Sequence, residues 1–250
     1  MSGELRIIPI HGIGEVNPGD DLAAKILSAL ERQDLALTDG DVLVVTQKIV
    51  SKAEGRIVDP DAVEPSQFAR IAAAQGHKDA RYYEIVLRES RRIVKMDRGV
   101  LVTETHHGWV CANAGVDQSN VDADTVALLP EDPDRSARAL RDAVRAQTRA
   151  EVHVIVADTF GRPWREGLVN IAIGVAGFAP LRSYLGERDP AGRPLQATIL
   201  AIADELAAAA EPVMGKLDRI PAAIVRGLPL SASEDGSKAL LRDPARDLFR

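Results

Sequence analysis

The chain has 250 residues, of which 46% are apolar and 27% are charged, and its net charge is −6. This composition is typical of a soluble globular protein with one large domain, or two smaller ones that share a core. The negative balance argues against broad nucleic-acid binding, which requires clustered Lys and Arg, although it leaves room for a local basic pocket. Cys111 is the only cysteine, so an internal disulfide is excluded and a reducing cytoplasm is expected.

Neither a leader nor a membrane span is expected. The first residues, MSGELRIIPIHG, lack a basic segment followed by a long apolar core, so they do not predict a signal peptide. The longest apolar run, near Ile171–Leu181, is short and is interrupted by Gly174 and Gly177. We therefore expect a cytoplasmic protein with no membrane partner.

The first part of the chain predicts a strand, a helix and a second strand. LRIIPI (5–10) is a short apolar run, as expected of a strand, and a polar turn follows it. Apolar residues recur at helical spacing over 22–30, with Asp20 or Asp21 as the expected N-cap. VLVVTQ (42–47) predicts a buried strand that leads into a basic loop, KIVSKAEGR.

The middle of the chain is predicted to be helical and then rich in strands. Residues 66–90 have helical character that is interrupted near Gly76, and RIVKM, LVTET and WVCA follow as strands. Pro133 and Asp134 mark the start of another helix. VHVIVA (152–157) predicts a buried strand that ends at DTFGRPWREG.

The last part predicts a helix, a strand and a tail. LQATILAIADELAAAAE (195–211) predicts a helix that ends at Pro212, since proline disfavours helical geometry in the residue before it. IPAAIVRG predicts the last strand. Strands and helices mix without regular βαβ alternation, so we predict an α+β fold. We expect a globular domain over 1–230, in which the boundary between subdomains is not located, and a peripheral polar tail over 231–250.

The segment ETHHGWVCANAGVDQSN (104–120) contains side chains of several chemical classes. His106 and His107 are adjacent, so on a strand they point to opposite faces and do not share one metal ion. Cys111 lies in an apolar context, which favours a buried core residue over a nucleophile.

The end of the same segment offers oxygen atoms instead. Asp117, Ser119 and Asn120 follow Gly115, which permits a tight turn. Oxygen ligands suit Mg²⁺ or Mn²⁺. A polar turn without a ligand is the alternative interpretation.

A second candidate site is ADTFGRPWREG, which follows the buried strand 152–157. Asp158 and Thr159 emerge where the apolar run stops, and a carboxylate with a hydroxyl there suits a cation that bridges phosphates. Arg162 and Arg165 flank them as candidate anion clamps. A charged loop with a salt bridge is the alternative.

A third candidate is ADELAAAAEPVMGK, in which Asp204 and Glu211 are seven positions apart on one helical face and Gly215 and Lys216 follow. This order suits metal and phosphate together, although solvated helix charges explain it equally well. Lys48 and Lys52 form a weaker fourth candidate for binding an anion. No GxxxxGK[ST], GxSxG, CxxC or HExxH pattern occurs. The remaining pattern suits phosphoryl transfer or nucleotide-driven ligation.

Seven segments together resemble one enzyme family, the coenzyme F420-0:L-glutamate ligases, which are the γ-glutamyl ligases of coenzyme F420 biosynthesis. They occur in the family's order over roughly 6–227: PGDDL, GDVLVVTQKIVSKAEGR, ETHHGWVCANAGVDQSN, LLPEDPDRSA, DTFGRPWREG, NIAIGVAG and ADELAAAAEPVMGK. The resemblance implies an enzyme that uses GTP and Mg²⁺ or Mn²⁺, with K⁺ as a further candidate, to add L-glutamate to F420-0 through γ-linked amide bonds. It also implies a homodimer and an α+β fold of two interlocked subdomains with mixed and antiparallel sheets.

The family's functional residues are carried over by motif. The implied metal ligands are Asp117, Asp158, Thr159 and Glu211. The implied GTP site consists of Ile13, Gly14, Glu15, Val16, Gln47, Lys52, Asn120, Ala209, Ala210, Glu211, Pro212, Val213, Met214, Gly215 and Lys216. Lys52, Arg162 and Arg165 are the implied neutralisers of the gathered anions. His107 or His106 is the candidate that takes the proton of the ammonium group.

Two departures from the family pattern affect these expectations. Gly14 stands in the first turn where family members often have proline, so the contacts of that loop with the nucleotide are an open point. Some bacterial relatives carry an additional C-terminal flavin-binding reductase domain, and no such domain is expected in this chain.

The implied reaction proceeds through an acyl phosphate, because a carboxylate is a poor electrophile until its oxygen becomes part of a leaving group. The amine of glutamate then displaces phosphate. Two alternatives stay open from the sequence: a non-catalytic regulator that binds GTP or a metabolite, and a metal-dependent phosphohydrolase.

Overall fold

The structure is a computed structural model that describes residues 3–118 and 125–247. Its α-helices are α1 (Leu22–Glu31), α2 (Gln47–Ala53), α3 (Gln67–Gln75), α4 (Ala80–Arg88), α5 (Pro133–Thr148) and α6 (Ile202–Met214). Its strands are β1 (Arg6–Pro9), β2 (Val42–Thr46), β3 (Ile57–Val58), β4 (Ser90–Asp97), β5 (Val100–Thr105), β6 (Val110–Ala112), β7 (Val126–Ala127), β8 (His153–Arg162), β9 (Arg165–Phe178), β10 (Arg182–Ser183), β11 (Ile199–Leu200), β12 (Ala222–Arg226) and β13 (Ala232–Ser233). The predicted α+β class is confirmed.

A six-stranded mixed sheet forms the centre of the molecule, in the order β1-β12-β2-β8-β9-β13. β2 and β8 are parallel, and the other neighbouring pairs are antiparallel. The parallel pairing of β2 with β8 ends where Thr46 pairs with Ala157, because β2 stops at Thr46 while β8 continues to Arg162. Side chains that follow these two positions are neighbours, although more than a hundred residues separate them in sequence.

Helices cover both faces of this sheet. On one face α1 and α5 bury Ile26, Leu30 and Val144 in a cluster that also contains Leu43 and Val156 from the sheet. On the other face α6 packs its alanine-rich side, with Leu206 and Met214, against β2, β8 and β12. Each large apolar side chain that is fully buried contributes about 1.5–3 kcal/mol. The helices are thus held by packing on the sheet.

The segment between α2 and α5 forms a second unit with a core of its own. α3, α4 and the three-stranded sheet β4-β5-β6 enclose Tyr82, Tyr83, Leu101 and Val116. Because the chain leaves the large sheet after α2 and returns at α5, the second unit is an insertion. The insertion thus has an apolar core separate from the two clusters on the faces of the large sheet. This separation agrees with the two-part architecture that the resemblance implies.

Most predicted elements are confirmed. The Asp21 carboxylate caps α1 by accepting a hydrogen bond from the N–H of Ala24 at 2.9 Å. Gly76 ends α3, as expected. α5 begins at Pro133, one residue before the predicted opening at Asp134, and Asp132 is its N-cap. None of the helices in 3–118 or 125–247 is long and apolar enough to cross a membrane.

Three predictions of element boundaries are wrong. The expected basic loop KIVSKAEGR is largely the helix α2, because Ile49 and Val50 pack into the core and fix a helix too short to show periodicity. The strand over 152–157 does not end at Asp158, since β8 continues as a hairpin with β9.

The helix predicted over 195–211 instead begins at Ile202 and runs through Pro212 to Met214. A proline this close to a helix end removes only one backbone hydrogen bond. Burial of Ala210 and Met214 against the sheet stabilises the helical turn that follows Pro212.

The beginning of the tail is not peripheral, contrary to the prediction. β13 pairs with β9, and Ser237 is buried. The backbone N–H of Ser237 donates to Asp134 Oδ1 at 2.8 Å, and its hydroxyl donates to the carbonyl of Ile173 at 2.7 Å. The tail therefore satisfies polar groups along the outer edge of β9.

Candidate functional site

The candidate site lies where β2 ends and its parallel pairing with β8 stops. Asp158 and Thr159 are consecutive on β8, so their side chains point to opposite faces of the sheet. Asp158 is close enough to Asp117 and Lys48 for their charges to act on it. Thr159 contacts Lys216, which follows α6. Residues from four distant parts of the chain meet at this end of the sheet.

On one side, Asp117 and Lys48 form an ion pair of 2.8 Å. Lys48 projects from the first turn of α2, and its side chain is mostly buried. The backbone of Asp117 is fixed by two hydrogen bonds with Ala127, of 3.0 and 2.8 Å. The Asp117 carboxylate is therefore held by a hydrogen-bonded backbone on the insertion and is paired with a lysine from α2.

Burial raises the pKa of Asp158 from 3.8 to about 7. The nearby negative charge of Asp117 raises it as well. The backbone N–H of Thr159 and the ammonium groups of Lys48 and Lys216 lower it without cancelling the effect of burial. Burial therefore disfavours the ionised form of Asp158, and an added cation nearby would favour it.

On the other side, the Lys216 ammonium group donates to Thr159 Oγ1 at 2.7 Å and lies 2.6 Å from Glu211 Oε1. The second oxygen, Glu211 Oε2, is buried without a hydrogen-bond partner among the described residues. Gly215 makes this arrangement possible: its φ is +59°, and a Cβ there would lie 2.5 Å from an oxygen of Asp218. The chain can thus end α6 and turn Lys216 back onto the strand.

The donor set fits hard divalent cations, with two of the donors on each face of the sheet. Asp117, Asp158, Thr159 and Glu211 all offer oxygen, the atom that Mg²⁺ and Mn²⁺ prefer. Glu211 Oε2 has no hydrogen-bond partner among the described residues, and the pKa of Asp158 is raised. Both carboxylates would be stabilised by additional positive charge. Within 3–118 and 125–247, no three His, Cys, Asp or Glu side chains are already grouped closely enough to hold a metal ion. Binding by these residues would thus require the side chains to rearrange.

The first turn and α2 form a second charged group beside the site. Ile13 and Val16 are buried, whereas Glu15 is exposed and forms a close ion pair with Lys52. Lys25 donates to the carbonyl of Glu15 at 2.9 Å, which fixes this turn. The implied phosphate-binding lysine of α2 is therefore paired with a carboxylate from the first turn.

The remaining residues of the implied GTP site differ in exposure. Gln47 is buried, and its Oε1 accepts from Ser51 at 2.8 Å. In the segment 209–216, Ala210 and Met214 face the core, so their side chains are structural. Asn120 and its neighbour Ser119 lie outside the described residues.

The implied catalytic arginines lie on the exposed tip of the β8–β9 hairpin. Arg162 donates to the carbonyl of Glu166 within the hairpin, and it pairs in register with Arg165. Trp164, between them, is 81% exposed. These contacts keep the hairpin tip folded and leave its guanidinium groups on the surface.

His107 forms hydrogen bonds and a stacking contact that hold its loop in place. Its Nε2 lies 2.9 Å from the carbonyl oxygen of Pro130 and 3.1 Å from that of Glu131, so this nitrogen carries the proton. The ring stacks on Trp109 at 4.7 Å, and burial lowers its pKa. These contacts describe a neutral histidine that ties two loops together.

An apolar cavity of about 200 Å³ lies one residue further along β8, lined by Trp109, Phe160, Ile171 and Leu241. Asp204 closes one side, and its carboxylate accepts from the backbone N–H of Ala172 at 2.9 Å. Asp204 therefore stabilises the edge of β9, in contrast to Glu211 on the same helix.

Comparison with known proteins identifies the family to which these motifs belong. A family model described as F420-0:gamma-glutamyl ligase matches residues 12–227, which include all the described residues of the candidate site. The chain belongs to the F420-0:gamma-glutamyl ligase family. It is accordingly an enzyme of the ligase class.

Several archaeal proteins named coenzyme F420:L-glutamate ligase are similar to this family member over nearly its whole length. The protein of Methanothermobacter thermautotrophicus is 45% identical over 98% of this chain and 99% of its own. That of Methanopyrus kandleri is 47% identical over 98% of both chains. That of Methanocaldococcus jannaschii is 41% identical over 86% of both.

Sequence reasoning gave little weight to one residue of this ligase and missed another. Lys48 was a weak candidate because lone lysines are usually solvated; in the helix α2, Lys48 and Lys52 share a face. Asn170 was not singled out, although its Oδ1 accepts from the Thr159 hydroxyl at 2.7 Å. The signal for Asn170 is a buried amide in an otherwise apolar strand.

Proposed function

We propose that this chain is a GTP-dependent ligase that adds L-glutamate to coenzyme F420-0 through γ-linked amide bonds. Family membership and the names of the relatives support the two substrates. The observation that carries the chemistry is the meeting of Asp158 and Thr159 with two lysines and two further carboxylates at the end of β2, where its parallel pairing with β8 stops.

Asp117, Asp158, Thr159 and Glu211 would hold divalent cations, Mg²⁺ or Mn²⁺, with Asp117 and Asp158 on one face of the sheet and Thr159 and Glu211 on the other. When bound, the cations would supply positive charge that neutralises phosphate oxygens and draws charge from the γ-phosphoryl group. In this proposal Lys216 releases Thr159 and Glu211 and turns to phosphate. Its side chain is more than half exposed and follows a glycine, so this movement is sterically open.

Lys52 and Gln47 lie on α2, at the end of the strand parallel to β8, and therefore suit the nucleotide side of the site. Lys52 would exchange the carboxylate of Glu15 for a phosphate oxygen. Arg162 and Arg165 would approach the anionic substrates from the hairpin tip. Together they would offset the repulsion between several anions, which is strong where water is excluded.

The proposed reaction has two steps. A carboxylate oxygen of F420-0 attacks the γ-phosphorus, and the bond from that phosphorus to GDP breaks, which gives an acyl phosphate and GDP. The amine of glutamate then attacks the acyl carbon, the bond from that carbon to the phosphate oxygen breaks, and inorganic phosphate leaves. The amine loses its proton to a base or to water.

The test is to combine purified protein, GTP, Mg²⁺, F420-0 and L-glutamate and to measure both released phosphate and product mass. The expected result is a glutamylated F420-0 and phosphate release that requires both substrates. Phosphate release without either acceptor would indicate a phosphohydrolase instead. Nucleotide binding without any release would indicate a regulator.

Three further expectations stay predictions: a homodimer, a cytoplasmic location and a role for K⁺. Light scattering after size-exclusion chromatography tests the homodimer directly. Replacing K⁺ by Na⁺ in the ligation assay tests the monovalent cation.

A further inference from the structure

Asn170 lies directly across the β8–β9 hairpin from Thr159. It is only 3% exposed, and its neighbours in the strand, Val169 and Ile171, are apolar. Asparagine is disfavoured in strands, and burying an amide costs free energy unless it forms hydrogen bonds. An apolar residue would suit this position better if packing were its only role.

The hydrogen bonds around Thr159 have a defined direction. The ammonium group of Lys216 only donates, so Thr159 Oγ1 accepts its hydrogen bond of 2.7 Å. The hydrogen of the Thr159 hydroxyl then goes to Asn170 Oδ1, which accepts at 2.7 Å. Asn170 thereby fixes the hydroxyl rotor and directs a lone pair of Oγ1 towards the positive charge.

We propose that Asn170 is the positioning residue that makes Thr159 a competent cation ligand in this enzyme. A threonine hydroxyl binds a cation through a lone pair, so its hydrogen must point elsewhere. The carboxamide oxygen of Asn170 accepts that hydrogen whether the positive charge is the Lys216 ammonium group or a divalent cation. The inference rests on the proposed function only in taking Thr159 as a metal ligand.

The test measures Mn²⁺ binding to the full chain without nucleotide or substrate, from the electron paramagnetic resonance signal of free Mn²⁺. Asn170→Leu removes the acceptor while keeping size, and it should weaken Mn²⁺ binding about 10-fold or more, as loss of an outer-shell partner does. Asn170→Asp keeps an acceptor oxygen in the same place, so it should retain most of the affinity. Asn170→Ser is polar but too short to reach Thr159, so it should behave like the leucine variant.

A double-mutant cycle separates positioning from a general structural role. In Thr159→Val, Asn170 has no hydroxyl to orient, so adding Asn170→Leu should cause no further loss of Mn²⁺ binding. Independent losses that multiply in the double variant would overturn the proposal. Denaturant unfolding checks that each variant is folded. If Asn170→Leu does not fold, Asn170→Ser takes its place in the double-mutant cycle.

The outcomes distinguish this inference from the proposed function. Coupling between Asn170 and Thr159 in a protein that fails to glutamylate F420-0 would uphold the inference and reject the function. A protein that ligates normally but shows no such coupling would reject the inference alone. Absence of Mn²⁺ binding by the unchanged chain would overturn the inference as well.

Discussion

Replacing Asp158 by asparagine should make the metal-free protein more stable while it abolishes ligation. The folded chain holds the Asp158 pKa at about 7, whereas its ordinary value is 3.8. Between these two pH values the unfolded chain loses the proton and the folded chain keeps it, so ionisation opposes folding increasingly as pH rises. At 1.36 kcal/mol per unit of pKa difference, the penalty reaches about 4 kcal/mol above pH 7.

Asparagine keeps the size of the side chain and an acceptor for the N–H of Thr159, but it carries no charge. The variant should therefore match the parent protein near pH 4 and exceed its stability progressively up to pH 7, by a few kcal/mol. The assay is urea denaturation in EDTA at pH 4, 5.5, 7 and 8. Glu187→Gln is the matched control, because that carboxylate is exposed. A variant without extra stability at pH 8 would refute the reasoning that burial penalises the charge.

Three further predictions concern other parts of the molecule. Glu15→Gln should lower the KM for GTP several-fold, because Lys52 no longer has an ion-pair partner that competes with phosphate; steady-state ligation kinetics measure this. Arg226→Met should reduce the free energy of unfolding by about 3 kcal/mol, since it leaves the buried carboxylate of Asp41 without its charged partner; urea denaturation measures this. Trp164→Phe should remove most of the fluorescence that iodide quenches, because the second tryptophan is buried.

Each of these has a result that contradicts it. An unchanged KM in Glu15→Gln, with an increased KM in Lys52→Met, would mean that the ion pair does not compete with nucleotide. A loss in Arg226→Met no larger than that in Arg6→Met, where the ion pair is exposed, would mean that burial does not strengthen the pair. Equal quenching before and after Trp164→Phe would show that the hairpin tip is covered in solution.

The sequence predicted those elements whose signal is local. VHVIVA is apolar apart from His153 because β8 is buried on both faces at that point, and Asp21 caps α1 by a hydrogen bond to the N–H of Ala24, three residues later. The helix α2 was missed because its seven residues span fewer than two helical turns, and its stability comes from burial of Ile49 and Val50. The extension of α6 past Pro212 depends likewise on the packing of Met214 against the sheet. The local preference of the residue before a proline takes no account of such packing.

The pairing of the site residues was beyond local reasoning. The oxygen donors Asp158 and Thr159 could be identified from their place after an apolar strand. Their partners could not: β8 and β9 shift register between Gly161 and Arg162, so counting back from the hairpin turn does not assign Asn170 to Thr159. The ion pair of Lys48 with Asp117 joins the large sheet to the insertion, and only the folded chain brings the two together.

The charge balance of the site supports the proposal that it binds both a metal and a nucleotide. Three carboxylates, those of Asp117, Asp158 and Glu211, face two ammonium groups, so the metal-free site is short of positive charge. A divalent cation on the carboxylate oxygens would reverse that balance. Lys48 and Lys216 would then be released from the carboxylates and would face the phosphates as donors. On this reasoning, the cation and the nucleotide should each strengthen the binding of the other. The difference between GTP affinity with and without Mg²⁺ should therefore be larger in the unchanged chain than in variants that lack Lys48 or Lys216.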